Sequence, residues 1–120
     1  MLHTEILKRN KDFVTLYQRG KTVVSPYVVI YVRKNRLKYN RLGITAGKKV
    51  GGAVQRNRAK RVIRAAYREA EQLFPVGTDM VIVARAAICD IRSTELTQFL
   101  TGQGLRRIKR CLSESGGKSK

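Results

Sequence analysis

Between residues 10 and 19 the apolar positions Phe13, Leu16 and Tyr17 recur at helical spacing. Asn10 stands where a cap would and Gly20 ends the pattern, so a short helix is expected there. Over residues 22–33 the pattern becomes alternation, with Tyr27, Val29 and Tyr31 on one side and Val28, Ile30 and Val32 on the other. β-Branched and aromatic residues in period two describe a strand. Pro26 has no N–H to give a ladder and marks an edge, a bend or the start of the regular part. A polar, basic turn over 34–40 leads to a second strand over 41–46. The glycines of GKKVGG, 47–52, allow a tight path into a long helix over 53–73, which ends before Pro75 and Gly77. DMVIVAR, 79–85, is nearly continuous in apolar residues, as for a strand buried on both faces. A last helix is expected over 93–112 with Ser93 as its cap, weakened by Gly102 and Gly104, each costing about 1 kcal/mol relative to alanine, which allows a break there. Residues 113–120, mostly Ser, Gly and Lys, read as a disordered tail.

The order helix, strand, strand, helix, strand, helix predicts an α/β (α+β) two-layer sandwich. It has a small sheet of about four strands, three helices, and a βαβ unit around the long helix. A chain of 120 residues supports one hydrophobic core, here one domain over 1–112. Cys89 and Cys111 have neither metal-ligand spacing nor the density of a disulfide scaffold and are expected as small, buried or half-buried hydrophobes. With His3 alone, no protein-held metal site and no thiol–histidine pair is expected. No stretch approaches the roughly 18 apolar residues of a spanning helix, and residues 1–9 lack the apolar run of a secretory signal, so a cytoplasmic protein is expected.

Charge changes the picture most. Lys and Arg number 26 against 8 Asp and Glu, a net charge of +18, beyond the roughly 2 to 8 units of an ordinary small domain. No acid occurs from Phe13 to Arg68, whereas a merely solvated face mixes both signs. A polyanion is implied. Nucleic acid fits better than an anionic membrane, because neutralising phosphates releases condensed counterions.

On the long helix, Ala59, Val62, Ile63, Ala66, Tyr67, Ala70 and Leu73 gather on one side, while Asn57, Lys60, Arg61, Arg64 and Arg68 gather within about 100° on another. Arg56 and Arg58 fall near its start, where exposed N–H groups favour phosphate. Lys60, Arg64 and Arg68 repel at i,i+4 spacing, a cost that an anionic partner removes. The guanidinium fork clamps phosphate oxygens in pairs or stacks on bases, which points to structured RNA. Phe13 and Tyr17, one turn apart, together with Tyr27, Val29 and Tyr31 on one strand face, describe a cleft able to stack unpaired bases. The same spacings also suit an ordinary core.

The run KKVGGAVQRNRAKRVIRAAYR, 48–68, resembles the signature of the bacterial ribonuclease P protein subunit, whose Arg-Asn-Arg centre is here Arg56-Asn57-Arg58. RNKDFVTLYQRGK, 9–21, resembles that family's first helix, and the Tyr27 and Tyr31 strand, DMVIVAR and the final basic helix follow in the family's order. The resemblance implies that a catalytic RNA performs magnesium-dependent hydrolysis, removing the 5′ leader from precursor tRNA, while the protein binds. It implies contact with the catalytic RNA through Lys48, Lys49, Arg56, Asn57, Arg58, Lys60, Arg61, Arg64 and Arg68. It implies a leader cleft at Phe13, Tyr17, Tyr27, Val29 and Tyr31, with Tyr17 where several family members have Phe. A left-handed crossover in the βαβ unit is implied as well, against the general rule.

Protein-only nuclease chemistry needs clustered carboxylates or a histidine pair, whereas the eight acids are scattered and there is one histidine. No catalytic residue, bound cofactor or DNA partner is therefore expected of this chain. A DNA-binding helix-turn-helix is disfavoured because the basic helix is followed by an apolar strand and not closely preceded by a helix. Size and charge alone also fit a non-enzymatic RNA-binding protein, such as a ribosomal protein or RNA chaperone.

Overall fold

The alternating and apolar stretches assemble into one mixed five-stranded sheet in the computed structural model, which describes residues 4–117. In chain order the elements are β1 (Thr4–Ile6), α1 (Asn10–Arg19), β2 (Lys21–Val24), β3 (Val28–Lys34), β4 (Asn40–Thr45), α2 (Ala53–Ala70), β5 (Thr78–Ala84), α3 (Ser93–Thr101) and α4 (Gln103–Gly117). Short 3₁₀ turns occupy Glu71–Leu73 and Ala86–Asp90. The strand order is β1-β4-β5-β3-β2. β1, β4 and β5 run parallel, so β4, α2 and β5 form the expected βαβ unit, while β3 is antiparallel to β5 and β2.

The two faces are covered unequally. One carries the larger core, where Ile30, Val32, Leu42, Met80 and Ile82 meet Ile63 and Tyr67 of α2, Leu96 and Leu100 of α3, and Ile108 of α4. The other carries a smaller cluster under α1, built on Leu7, Leu16 and Val81 with Phe13, Tyr31 and Val83 against it. β5 is therefore covered on both sides, as its apolar run requires. Cys89 and Cys111 are free and half-buried against the larger core, as expected.

The structure corrects several expectations. The sheet has a fifth strand, β1, whose three residues TEI are too short to show a period; it is held at the edge by pairing with β4. The strand read over 22–33 is two strands of a hairpin, broken at Ser25 and Pro26, where the Ser25 hydroxyl oxygen accepts the Val28 N–H at 3.0 Å. Pro26 thus precedes the regular part of β3. The single last helix is two, α3 and α4, parted at Gly102. There Gly104 lies against Phe99: a Cβ would stand 2.6 Å from its ring, and the bare backbone lets the helices close up. α4 continues to Gly117, past the expected end at Leu112, and residues 118–120 of the expected tail lie outside the described residues. Caps shift by one residue, to Arg9 for α1 and Arg92 for α3, whose N–H is accepted by Glu95 at 2.8 Å. Leu73 is exposed, not buried: the tighter 3₁₀ turn rotates it outward and brings in Phe74, which packs on Tyr67 at 5.4 Å between ring centroids.

β1 is pinned by a small polar cluster. The Thr4 hydroxyl donates to Glu71 at 2.6 Å and lies 2.9 Å from the Tyr67 hydroxyl. Burial is the main cause pushing the Tyr67 phenol up to about 12, with the nearby Glu71 charge adding to it and hydrogen bonding to Thr4 working the other way.

Candidate nucleic-acid interface

Helix α2 places its residues as the helical wheel requires. Ala59, Val62, Ile63, Ala66, Tyr67 and Ala70 are buried, while Asn57, Arg61, Arg64 and Arg68 are exposed and Lys60 is half-exposed. The basic stripe is thus presented on a helix whose back is fixed in the core. Lys48 and Lys49 are exposed in the turn before it, which closes through Val50 N–H to the Gly47 carbonyl at 3.1 Å. The first turn of α2 holds no acid and Gly52 offers no side-chain cap, so the leading N–H groups and the dipole's positive end are free for an anion.

Arg56 and Arg58 do not share the stripe. Each lies about 100° to one side of Asn57, and the two differ in setting. Arg58 is exposed and donates to the Cys89 carbonyl at 3.3 Å, tying α2 to the 3₁₀ turn after β5. Arg56 is half-buried, and its Nε is buried with no hydrogen-bond partner. Such a donor costs about 1 to 3 kcal/mol until something accepts from it.

The aromatic residues form a trough on the opposite face. β pairing aligns Thr22, Tyr31, Val81 and Gly43 in one row across β2, β3, β5 and β4, and Val24, Val29, Val83 and Thr45 in the next. α1 covers the first row. Its Phe13 ring rests on the bare backbone of Gly43, where a Cβ would come within 2.5 Å, and Tyr17 meets Tyr31 edge-on at 5.0 Å and 74°. The second row lies beyond: Val29, Val83 and Thr45 are half-buried and Val24 is 46 % exposed, while Tyr17, in contact with Tyr31 of the first row, is itself 43 % exposed. Phe13, Tyr17, Val29 and Tyr31 are therefore brought together. Tyr27 is not among them, because it precedes the regular strand and packs against the larger core.

Sequence reasoning missed Val83, Thr45 and Val24. The parity of DMVIVAR puts Val81 and Val83 on one side, but which residues of other strands lie beside them is fixed only by register. It also missed the row on the opposite side of Tyr31 and Val81, where Arg41 clasps Asp79 through two bonds of 2.7 and 2.8 Å and Asn35 adds a third at 2.8 Å. That bond to Asp79 is the main cause holding the Arg41 guanidinium above its ordinary pKa. Among the described residues, no three His, Cys, Asp or Glu side chains group in a way that could hold a metal ion. No described helix is long and apolar enough to cross a membrane.

Comparison with known proteins finds clear relatives. The family described as Ribonuclease P matches residues 1–112. The ribonuclease P protein component of Lachnoclostridium phytofermentans is 39 % identical over 112 residues, covering 93 % of this chain and 95 % of that one. That of Clostridioides difficile is 42 % identical over 88 residues, 72 % of this chain and 77 % of its own. Among solved structures, the RNase P protein of Staphylococcus aureus superposes with a TM-score of 0.73 at 28 % identity, over 89 % of this chain and 96 % of that one. The RNase P protein from Thermotoga maritima gives 0.73 at 30 % identity, over 88 % and 96 %.

Proposed function

Since the chain belongs to the ribonuclease P protein family, and so to the protein components of an endoribonuclease, we propose that it binds a catalytic RNA through α2 and the 5′ leader of precursor tRNA through the trough beside α1. The RNA cuts the phosphodiester bond and this chain supplies binding. The observation that carries the reading is the half-buried Arg56, whose unpartnered Nε sits at the start of a helix lined with further cations. A phosphate at the head of α2 would accept from Arg56 and from the leading N–H groups together, and Arg61, Arg64 and Arg68 would follow the backbone along the helix. Family membership favours this over a ribosomal protein or RNA chaperone.

In the trough, an unpaired base would stack on the Tyr17 and Phe13 rings with its edge over Val29 and Val83. Such contacts tolerate any leader sequence, because every base has an aromatic face. Precursor tRNAs differ in their leaders, so tolerance is what the substrate class requires. Magnesium is assigned to the RNA. The donors of this chain do not fit it, since Asp79 and Asp12 both face Arg41 and the remaining acids are scattered.

The test is a magnesium titration of precursor-tRNA cleavage by bacterial catalytic RNA with and without this chain. Leader removal should reappear at low magnesium when the chain is added. A chain that cut the precursor unaided, or that left the RNA's rate unchanged, would overturn the proposal. Phe13→Ala should weaken long-leader substrates by about 1 to 3 kcal/mol and spare leaderless ones; equal losses would mean a folding defect.

A further inference from the structure

The basic face of α4 lies outside both the α2 stripe and the trough. From Gln103 to Ser113 the helix carries four cations and no acid. Ile108 and Leu112 are buried beneath it, while Arg106, Lys109 and Arg110 are exposed and Arg107 is half-exposed. α4 runs beside the edge strand β2, with the Cys111 sulfur 4.0 Å from the Thr22 carbonyl and Arg107 Nη1 donating to the Val24 carbonyl at 2.9 Å. Val24 is also the last residue of the trough's open row. The trough and the basic helix therefore meet at one residue.

The two ends of that row differ. Past Thr45 the chain leads through the Lys48 and Lys49 turn to the head of α2, the side given to the catalytic RNA and hence to the cleavage site. Past Val24 the sheet ends at the outer edge of β2, beside which α4 runs. The row crosses three strand spacings, about 14 Å, which at about 3.4 Å per stacked base accommodates roughly four or five nucleotides. A longer leader has to emerge at β2.

We infer that the upstream part of a long leader leaves the trough over Val24 and continues onto α4, where Arg107 marks the exit and Arg106 and Arg110 hold its phosphates. This rests on the leader-binding reading of the trough and adds a length to it. Arg106 and Arg110, one turn apart, repel each other in the free protein, and single-stranded RNA removes that repulsion. The partner is an unpaired strand because a trough one row wide, ending at a strand edge, delivers nothing broader to the helix.

The experiment compares precursor tRNAs with leaders of about two, five and twelve nucleotides, bound by the holoenzyme reconstituted with native protein or the Arg106→Gln/Arg110→Gln double variant. Both positions are exposed, so the core is untouched, and a thermal unfolding curve checks this. Only the longest leader should lose affinity, by about fivefold, and its salt slope should fall by about 0.7 per lost contact. Arg106→Lys/Arg110→Lys should restore the slope. Equal losses for all three leaders, or none for the longest, would overturn the inference. Phe13→Ala in the same assay separates the two ideas. If it discriminates leader-bearing from leaderless substrate while the double variant does nothing, only the α4 track falls; if it does not discriminate, the trough itself is misassigned.

Discussion

Arg56 and Tyr67 show what single positions in this chain were shaped for. Arg56 holds a buried Nε that no group among the described residues satisfies. Arg56→Met should therefore raise the unfolding free energy by about 1 kcal/mol while weakening RNA binding. Denaturant titration and an RNA-binding isotherm on the same variant check both signs. Tyr67 points the other way, towards stability. Its phenol stands near 10 when unfolded and at about 12 when folded. Below pH 10 both states are protonated and its contribution is intact; between 10 and 12 only the unfolded phenol ionises, and stability drains away by about 2 to 3 kcal/mol. The drop in denaturation midpoint across that window should be smaller in Tyr67→Phe than in the native chain. Gly43 joins stability to function. A methyl there collides with the Phe13 ring, so Gly43→Ala should cost about 1 to 3 kcal/mol and weaken leader-bearing substrates beyond leaderless ones.

At the scale of elements, α2 matters because its two sides do different work on the same rigid rod. Ile63 and Tyr67 anchor it, and the guanidinium groups it presents keep a fixed spacing. Replacing Arg56, Arg58 and Arg64 together by Ala should make the salt dependence of catalytic-RNA binding shallower by about one unit per lost phosphate contact; an unchanged slope would remove them from the interface. The element pattern was legible where one face was uniformly apolar, as in α2 and β5. It was not legible at Leu73, where a switch to 3₁₀ geometry turns the wheel, and only half legible at Gly102, where the glycines allow a break but a hydrophobic period running on through Leu105, Ile108 and Leu112 reads as one helix.

For the molecule as a whole, the charge of +18 is spread over one small fold, and its self-repulsion opposes compactness until a polyanion binds. Sulfate or phosphate at millimolar concentration should raise the thermal midpoint of the free protein by several degrees, more than chloride at equal ionic strength. The basic helix proposed to meet the catalytic RNA was readable from local spacing, because its cations and its apolar back follow one helical period. The trough proposed for the leader was readable only in part. Phe13, Tyr17, Val29 and Tyr31 announced themselves as aromatics and alternating positions, yet Tyr27 belonged elsewhere and Val83, Thr45 and Val24 went unseen.

The amino-acid sequence by itself determined the excess of positive charge, the amphipathic helix that carries its basic stripe and the kinds of element the chain forms, since charge and periodicity are properties of neighbours along the chain. Which strands lie side by side, that β1 exists at all, and that α4 reaches the end of the trough at Val24 were decided by tertiary structure. Register and edge position depend on pairing between residues far apart in the chain, and no local pattern carries that information.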